Sequence, residues 1–280
     1  MRNVPMRKGL RLSILLLCAG AAVAARAQQP ATEPCVSQNR PAFDVVSVKR
    51  SDRSETGFVM RRTQDSLTAT ASLQRLIQFA FSLHDFQISG GPSWAATTNW
   101  EIRAKLATPQ ADSAQVSASE RQSQYEQNMQ QLQSALAEYF HLTCHLVSKE
   151  MAVYDLVVSK GGAKLKETQA DPSKRGNVYP ESHGLRSHAS GMAVGTDRIA
   201  ILLTGPTGRF VVDKTGLKGS YDFTLDWVND AAPGAEASAD TPSGPTIYTA
   251  VEEQLGLKLV PGKGQVPVLV IDSADVPAAN

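Results

Sequence analysis

The residue pattern predicts an α+β fold in which antiparallel β-sheets are covered by helices, arranged as two related halves. Two observations carry this expectation. A unit of short amphipathic helix, strand, turn and strand recurs four times along the chain. Its cleanest copy, GRFVVDKTGLKGSYDFTLDW from Gly208 to Trp227, reads as two alternating segments around the turn residues Asp213, Lys214, Thr215 and Gly216.

The chain opens with a targeting signal. Arg2, Arg7, Lys8 and Arg11 precede an apolar run from Leu12 to Ala25, and Ala25, Arg26, Ala27 supply a small-x-small end. This is the pattern of a signal peptide (1–27) cleaved near Ala27, and a run this short falls below the roughly 20 residues that span a bilayer. The expected location is therefore periplasmic or secreted. Of the 28 basic and 27 acidic residues, the signal holds five basic ones, so cleavage leaves 23 against 27 and a net charge of −4. No basic tract remains to follow a phosphate backbone, so no nucleic acid is expected as a partner, and no second apolar run spans a membrane. Cys18 leaves with the signal; Cys35 and Cys144 remain as an even pair in an oxidising compartment, where a disulfide is the default.

The elements follow in order. Residues 28–40 form a polar, flexible N-terminal arm. A first α+β half covers 41–167. Within it Pro41 to Lys49 reads as a strand, and Phe58 to Met60 with Leu67 to Thr70 as a hairpin. Ser72 caps a helix whose stripe is Leu73, Leu76, Ile77, Ala80 and Phe81. Strands near Phe86 to Ile88 and Trp100 to Lys105 follow, joined by the Gly90 to Trp94 loop. Ser117 and Glu120, in capping-box spacing, open a longer helix burying Met129, Leu132, Leu136 and Tyr139. Its strands are Leu142 to Ser148 and Ala152 to Ser159.

Residues 168–195, rich in Gly, Ser, His and charge, read as a flexible loop, and Asn229 to Pro245 as another. A second half covers 196–280. Its first helix, Thr196 to Leu203, is stopped by Gly205 and Pro206 before the Gly208 to Trp227 hairpin. A last helix from Thr246 to Leu255 ends at Gly256. Strands Leu257 to Val260 and Val266 to Asp272 close the chain around the turn Pro261 to Gly264.

Little chemistry concentrates anywhere. His141, Cys144 and His145 lack the further ligands that a metal site needs, so no metal is expected. His183 and His188 fall in the expected loop. Asp222 and Asp226 alternate with Tyr221, Phe223 and Leu225 as the solvent side of a strand, and HASGM around Ser190 lacks the elbow of a serine hydrolase. No catalytic residue and no cofactor is expected. The candidate ligand-binding residues are Trp94, presented on a Gly-Gly-Pro loop, with Asp213 and Tyr221. Trp100 and Trp227 could also line a groove, though such residues more often complete a core.

The blocks FDVVSVKR, LQRLIQFAFSLHDFQISGGPSW, LAEYFHLTCHLVSKEMAVYDLVVSKGGAKLK, GRFVVDKTGLKGSYDFTLDW and AVEEQLGLKLVPGKGQVPVLVIDSADVP, from Phe43 to Pro277, resemble the soil-associated protein family of acidobacteria. That family is an exported domain of unknown function, and some members resemble the outer portion of membrane metallopeptidases similar to antibiotic-sensing receptor proteases. No H-E-x-x-H stands here. The resemblance therefore implies an extracytoplasmic binding or sensing module for an envelope protein or cell-wall ligand, and supplies no catalytic residues. The alternative is a secreted hydrolase using carboxylates of the 213–226 hairpin with a histidine of the 183–188 loop. The run Gln254 to Ile271 also looks like the small periplasmic modules of secretins and TonB receptors.

Overall fold

Capping and periodicity place the helices close to where the sequence predicts them. The computed structural model describes residues 35–36, 40–51, 59–111, 115–169, 178–229 and 243–278. The expected signal peptide (1–27), most of the N-terminal arm, and residues 170–177 and 230–242 of the two expected loops lie outside the described residues.

Strand β1 (Val45–Arg50) is followed by the expected hairpin of β2 (Val59–Arg62) and β3 (Ser66–Ser72). Ser72 accepts the Arg75 N–H and caps helix α1 (Leu73–Phe81), which buries Leu73, Leu76, Ile77 and Ala80. Then come β4 (Ile88–Gly90), the one-turn helix α2 (Trp94–Thr97) and β5 (Asn99–Lys105). Helix α3 (Ala118–Tyr139) opens with the Ser117 and Glu120 capping box and leads into β6 (Thr143–Val158). The chain continues through β7 (Lys166–Glu167), β8 (Val178–His183), β9 (Arg186–Val194), α4 (Thr196–Thr207), β10 (Val211–Asp213), β11 (Tyr221–Val228), α5 (Ile247–Leu255) and β12 (Leu257–Ser273).

These strands make three sheets among the described residues, ordered β1-β5-β3-β2, β10-β6-β12-β4 and β7-β11-β9-β8. The fold is α+β, as predicted. Its order repeats. The elements β-β-β-α-β-β-α-β run from β1 to β6 and again from β7 to β12, the first copy adding a 3-10 turn at Asp85–Gln87 and the short helix α2. The first and third sheets share one strand order, and β4 and β10 each join the central sheet parallel to β12 and β6. The cores match as well. Leu132, Leu136, Phe140, Leu142 and Cys144 are buried at the same spacing as Ile247, Val251, Leu255, Leu257 and Leu259.

Four expectations are corrected. Leu142 to Ser159 is one strand, not two, and so is Leu257 to Asp272: β6 and β12 pair antiparallel from Val158↔Leu257 to Thr143↔Ser273. The turn chemistry of Pro261 to Gly264 is overruled because Tyr154, Val153, Ala152 and Met151 stand opposite it in unbroken register. The Gly208 to Trp227 segment is not a hairpin, since β10 pairs with β6 while β11 pairs with β9 and β7. The expected loop 168–195 contains β8 and β9; of the buried residues on β9, Ser187, Ala189 and Ala193 are too small to give an apolar signal, and Val194 stands alone at its end. Helix α4 runs through Pro206 to Thr207 and stops at Gly208 (φ 63°), with the Thr207 hydroxyl donating to the Leu203 carbonyl at 2.7 Å.

Cys35 and Cys144 form the expected disulfide, with Cα atoms 5.3 Å apart and the Cys35 N–H donating to the Cys144 carbonyl at 2.9 Å. The bond closes a loop of 109 residues. Replacing both cysteines with serine is expected to lower unfolding stability by about 2–4 kcal/mol, because the loop-closure constraint on the unfolded chain is lost. Thermal melts with and without reductant check this: the melting temperature of the native protein falls on reduction and that of the variant does not move.

His141 (φ 45°) takes the left-handed place after α3 that Gly256 (φ 63°) takes after α5. A Cβ at Gly256 would run into the Gly162 carbonyl oxygen and come within 2.7 Å of the Lys164 nitrogen. Gly256→Ala is therefore expected to cost about 2 kcal/mol or more, combining left-handed strain with overpacking. His141→Gly relieves strain and loses only an exposed ion pair to Asp275, leaving stability unchanged or raised by up to about 1 kcal/mol. Urea unfolding of both variants separates the two outcomes.

Candidate functional site

The structure uses most of the singled-out residues to hold itself together. Trp94 is half-buried, its ring stacked 6.4 Å from Phe140 and edge-on to Trp100 at 6.1 Å, inside the first core. Tyr221 is buried on β11. Asp213 ends β10, where it accepts the Thr196 hydroxyl at 2.6 Å, the Thr215 N–H at 2.9 Å and the Thr215 hydroxyl at 2.8 Å. Cys144 is consumed by the disulfide, and His141 and His145 face Asp275 and Asp272 at 3.2 and 2.9 Å. Among the described residues no group of three or more His, Cys, Asp and Glu is placed to hold a metal.

A cavity of about 220 Å³ opens where β8, β9 and β11 end, walled by His183, Arg186, His188, Asp226, Trp227 and Pro245. Strand register builds it. A turn at Gly184 (φ 63°) sets His183 opposite Arg186 and Glu181 opposite His188, and the other neighbour strand sets Asp226 opposite His188. His188 Nδ1 lies 2.7 Å from Asp226 Oδ1, so the carboxylate accepts from a proton-bearing Nδ1 and orients the ring with Nε2 pointing away from it.

The frame behind these side chains is closely tied. Gln254 of α5 clasps Asp226, donating to its carbonyl at 2.8 Å and accepting its N–H at 2.9 Å. The Val228 N–H donates to the Pro245 carbonyl and the Asn229 N–H to the Leu185 carbonyl. On the opposite side of the strands, Trp227 Nε1 donates to Asn229 Oδ1 at 2.7 Å, and Asn229 Nδ2 donates to Ser187 Oγ at 2.8 Å. Ser187 Oγ also meets Ser182 Oγ at 3.0 Å. The serine beside His188 in sequence is thus engaged away from the imidazole. Arg186 forms no ion pair with a carboxylate among the described residues.

Residues 74–274 match the model of a protein family of unknown function, DUF3738. The chain belongs to this family. No curated protein and no solved structure matches it.

Sequence reasoning about this DUF3738 protein singles out His183, His188 and Asp226 and names Trp227 as a groove candidate, but misses Arg186 and Pro245. The one available signal was the alternation of RSHASGM, which sets Arg186 and His188 on one face of a strand. Pro245 comes from a segment 16 residues further along the chain than Asn229, and no local pattern brings it there.

The Asp213 network is open to a pH test. Burial of the carboxyl pushes its pKa up, but the hydrogen bonds from Thr196 and Thr215 and the nearby Lys218 charge outweigh it and hold the group below the usual carboxylate range. A carboxyl depressed on folding contributes stability that is present above its unfolded value and is lost as pH falls through the folded one. Thr196→Val is therefore expected to lower stability at pH 7 and to flatten its decline below about pH 4. Urea midpoints for both proteins across pH 2–7 give the answer; parallel curves would sink the assignment.

Proposed function

We propose that this DUF3738 protein is an exported, non-enzymatic module that binds a protein or cell-envelope ligand through the pocket at the end of β8, β9 and β11. The observation that carries the reading is Arg186. It stands beside His183 without a carboxylate partner among the described residues, with Pro245 as an apolar wall of the same pocket. A cation beside an apolar wall suits a ligand group carrying both an anion and an apolar body. A volume of about 220 Å³ is smaller than drug-sized pockets and takes one residue of a peptide or one unit of an envelope polymer. The disulfide supports an oxidising compartment, as the signal-like N-terminus and the resemblance to exported proteins of soil acidobacteria do. No helix among the described residues is long and apolar enough to cross a membrane.

The hydrolase reading draws on the 2.7 Å bond between His188 and Asp226. A general base needs a nucleophile or a held water within hydrogen-bond reach, and Ser187 turns its hydroxyl to Asn229 and Ser182 instead. Binding is therefore the reading preferred, and it rests on this pocket instead of on Trp94, Asp213 and Tyr221, whose surroundings hold them within the fold.

The imidazole of His188, in the wall of the pocket, reports on it. Titration with a solubilised envelope digest is expected to shift its NMR cross-peak saturably, and Arg186→Gln is expected to weaken that binding about tenfold, the loss of one charge-assisted contact of about 1.4 kcal/mol. An unmoved cross-peak would sink the binding reading. Turnover of any ester, amide or glycoside in the same digest, lost in His188→Gln with the fold intact, would favour the hydrolase.

A further inference from the structure

The outer face of the first sheet carries a charge pattern that the pocket does not explain. Residues directly opposite in an antiparallel ladder share a face. The register sets Ser47, Arg103, Thr68 and Arg61 in one row across all four strands. Flanking rows hold Lys105 with Val45 and Ser66, and Glu101 with Lys49 and Thr70. The alternate residues Val48, Ile102, Ala69 and Leu67 are buried in the core, so the first set lies on the outer face, where Thr70 is buried and Ser47, Ser66, Thr68 and Glu101 are half-buried. Lys49, Arg61, Arg103 and Lys105 are all exposed, and Arg103 has 70% of its side chain open. Among the described residues Glu101 is the acid within these rows and is held by Arg103 at 2.6 Å, and Asp65 of the β2–β3 turn lies close enough to Lys105 to feel its charge. The three rows themselves thus carry three net positive charges, on a chain that is acidic once the expected signal is removed.

The second copy makes a control. At the places equivalent to Glu101, Arg103 and Lys105 on β5, strand β11 carries Asp222, Thr224 and Asp226. The same backbone is therefore compatible with the opposite charge, and folding does not require the cations. Their layout also says what they fit. Neighbouring strands lie about 4.8 Å apart and alternate residues about 6.7 Å apart, so the four cations spread over roughly 14 Å across the strands and 13 Å along them. A linear polyanion needs a line or groove of charge; a two-dimensional spread on a flat face matches a planar array of anions.

We infer that this sheet face docks on an anionic lipid bilayer surface, with Arg61, Arg103, Lys105 and Lys49 taking phosphate headgroups and Ser47, Ser66 and Thr68 supplying hydroxyl contacts. No side chain inserts deeply, because only Val45 and Val59 interrupt the polar face. The attachment is electrostatic, reversible and screened by salt. It is independent of the ligand pocket.

The test is co-sedimentation of the protein, as processed by its cell, with vesicles of phosphatidylcholine alone or mixed with phosphatidylglycerol. The expected result is binding to the mixed vesicles only, falling at least tenfold between 50 and 500 mM NaCl. The triple variant R61Q/R103Q/K105Q is expected to lose at least tenfold, while K160Q/K258Q/K263Q, with the same change in net charge elsewhere, keeps the native affinity. Equal loss in both variants, salt-insensitive binding or no preference for the anionic vesicles would overturn the proposal. Tighter binding to soluble linear polyphosphate than to the vesicles would overturn the bilayer assignment. Should the triple variant fail to keep the native circular dichroism, K105Q alone is expected to lose affinity while K263Q does not.

Discussion

The antiparallel ladder between β6 and β12 is the constraint on which the rest of the structure depends. Each strand begins directly after a helix of its own copy and ends in the core of the other. Cys144 at the start of β6 and Ile271 near the end of β12 belong to the first core; Leu156 near the end of β6 and Leu257 and Leu259 at the start of β12 belong to the second. Neither lobe can therefore complete its apolar interior alone. The middle of the ladder, around Glu150 and Gln265, belongs to neither core: those two residues are exposed, while Val153 and Val266 are buried outside both. Breaking the register by one residue would turn Leu156 and Leu259 to solvent at one end and Cys144 and Ile271 at the other, so both cores hold the register in place.

What the sequence revealed depended on how far apart the cooperating residues lie. Helices α1, α3 and α5 were legible because their signals are local: an oxygen at Ser72, Ser117 or Thr246, a stripe at helical spacing, and a stop such as Gly256. The hairpin of β2 and β3 was legible for the same reason. The long strands were not. Lys149 to Met151 and Pro261 to Gly264 look like turns to any local reading, and only the distant partner strand keeps them extended. β8 and β9 were hidden differently: Ser187 and Ala189 are buried, but their small side chains leave no apolar alternation to read. The pocket inherits both difficulties, since its arginine, Arg186, sits on β9 and its far wall arrives with Pro245.

Duplication explains why chemistry is sparse and where it can still arise. Positions that build the two cores are matched in kind, so they carry packing and little else. Divergence falls at the outer faces and the strand ends, which the ladder does not constrain. There one copy bears Arg103 and Lys105 where the other bears Thr224 and Asp226. Of these only Asp226 meets a histidine across the strands, which is how the second copy acquires the His188 pair that the first lacks.

The disulfide fits the same logic. Cys144 takes, in the first core, the place that Leu259 takes in the second, and it is as buried as the leucine. The first core is larger, with Trp94, Trp100 and Phe140 meeting around a helix of 22 residues where the second copy has one of 9. Cys35 and Val36 come from outside the repeat and pack onto that core, Cys35 pairing its backbone with Cys144 as well as its sulfur. A short arm with two residues on the core buries too little apolar surface to repay its own ordering entropy. A covalent bond at a core position already fixed by the ladder removes that entropy from the unfolded chain instead, so the arm is held by the strand that holds everything else.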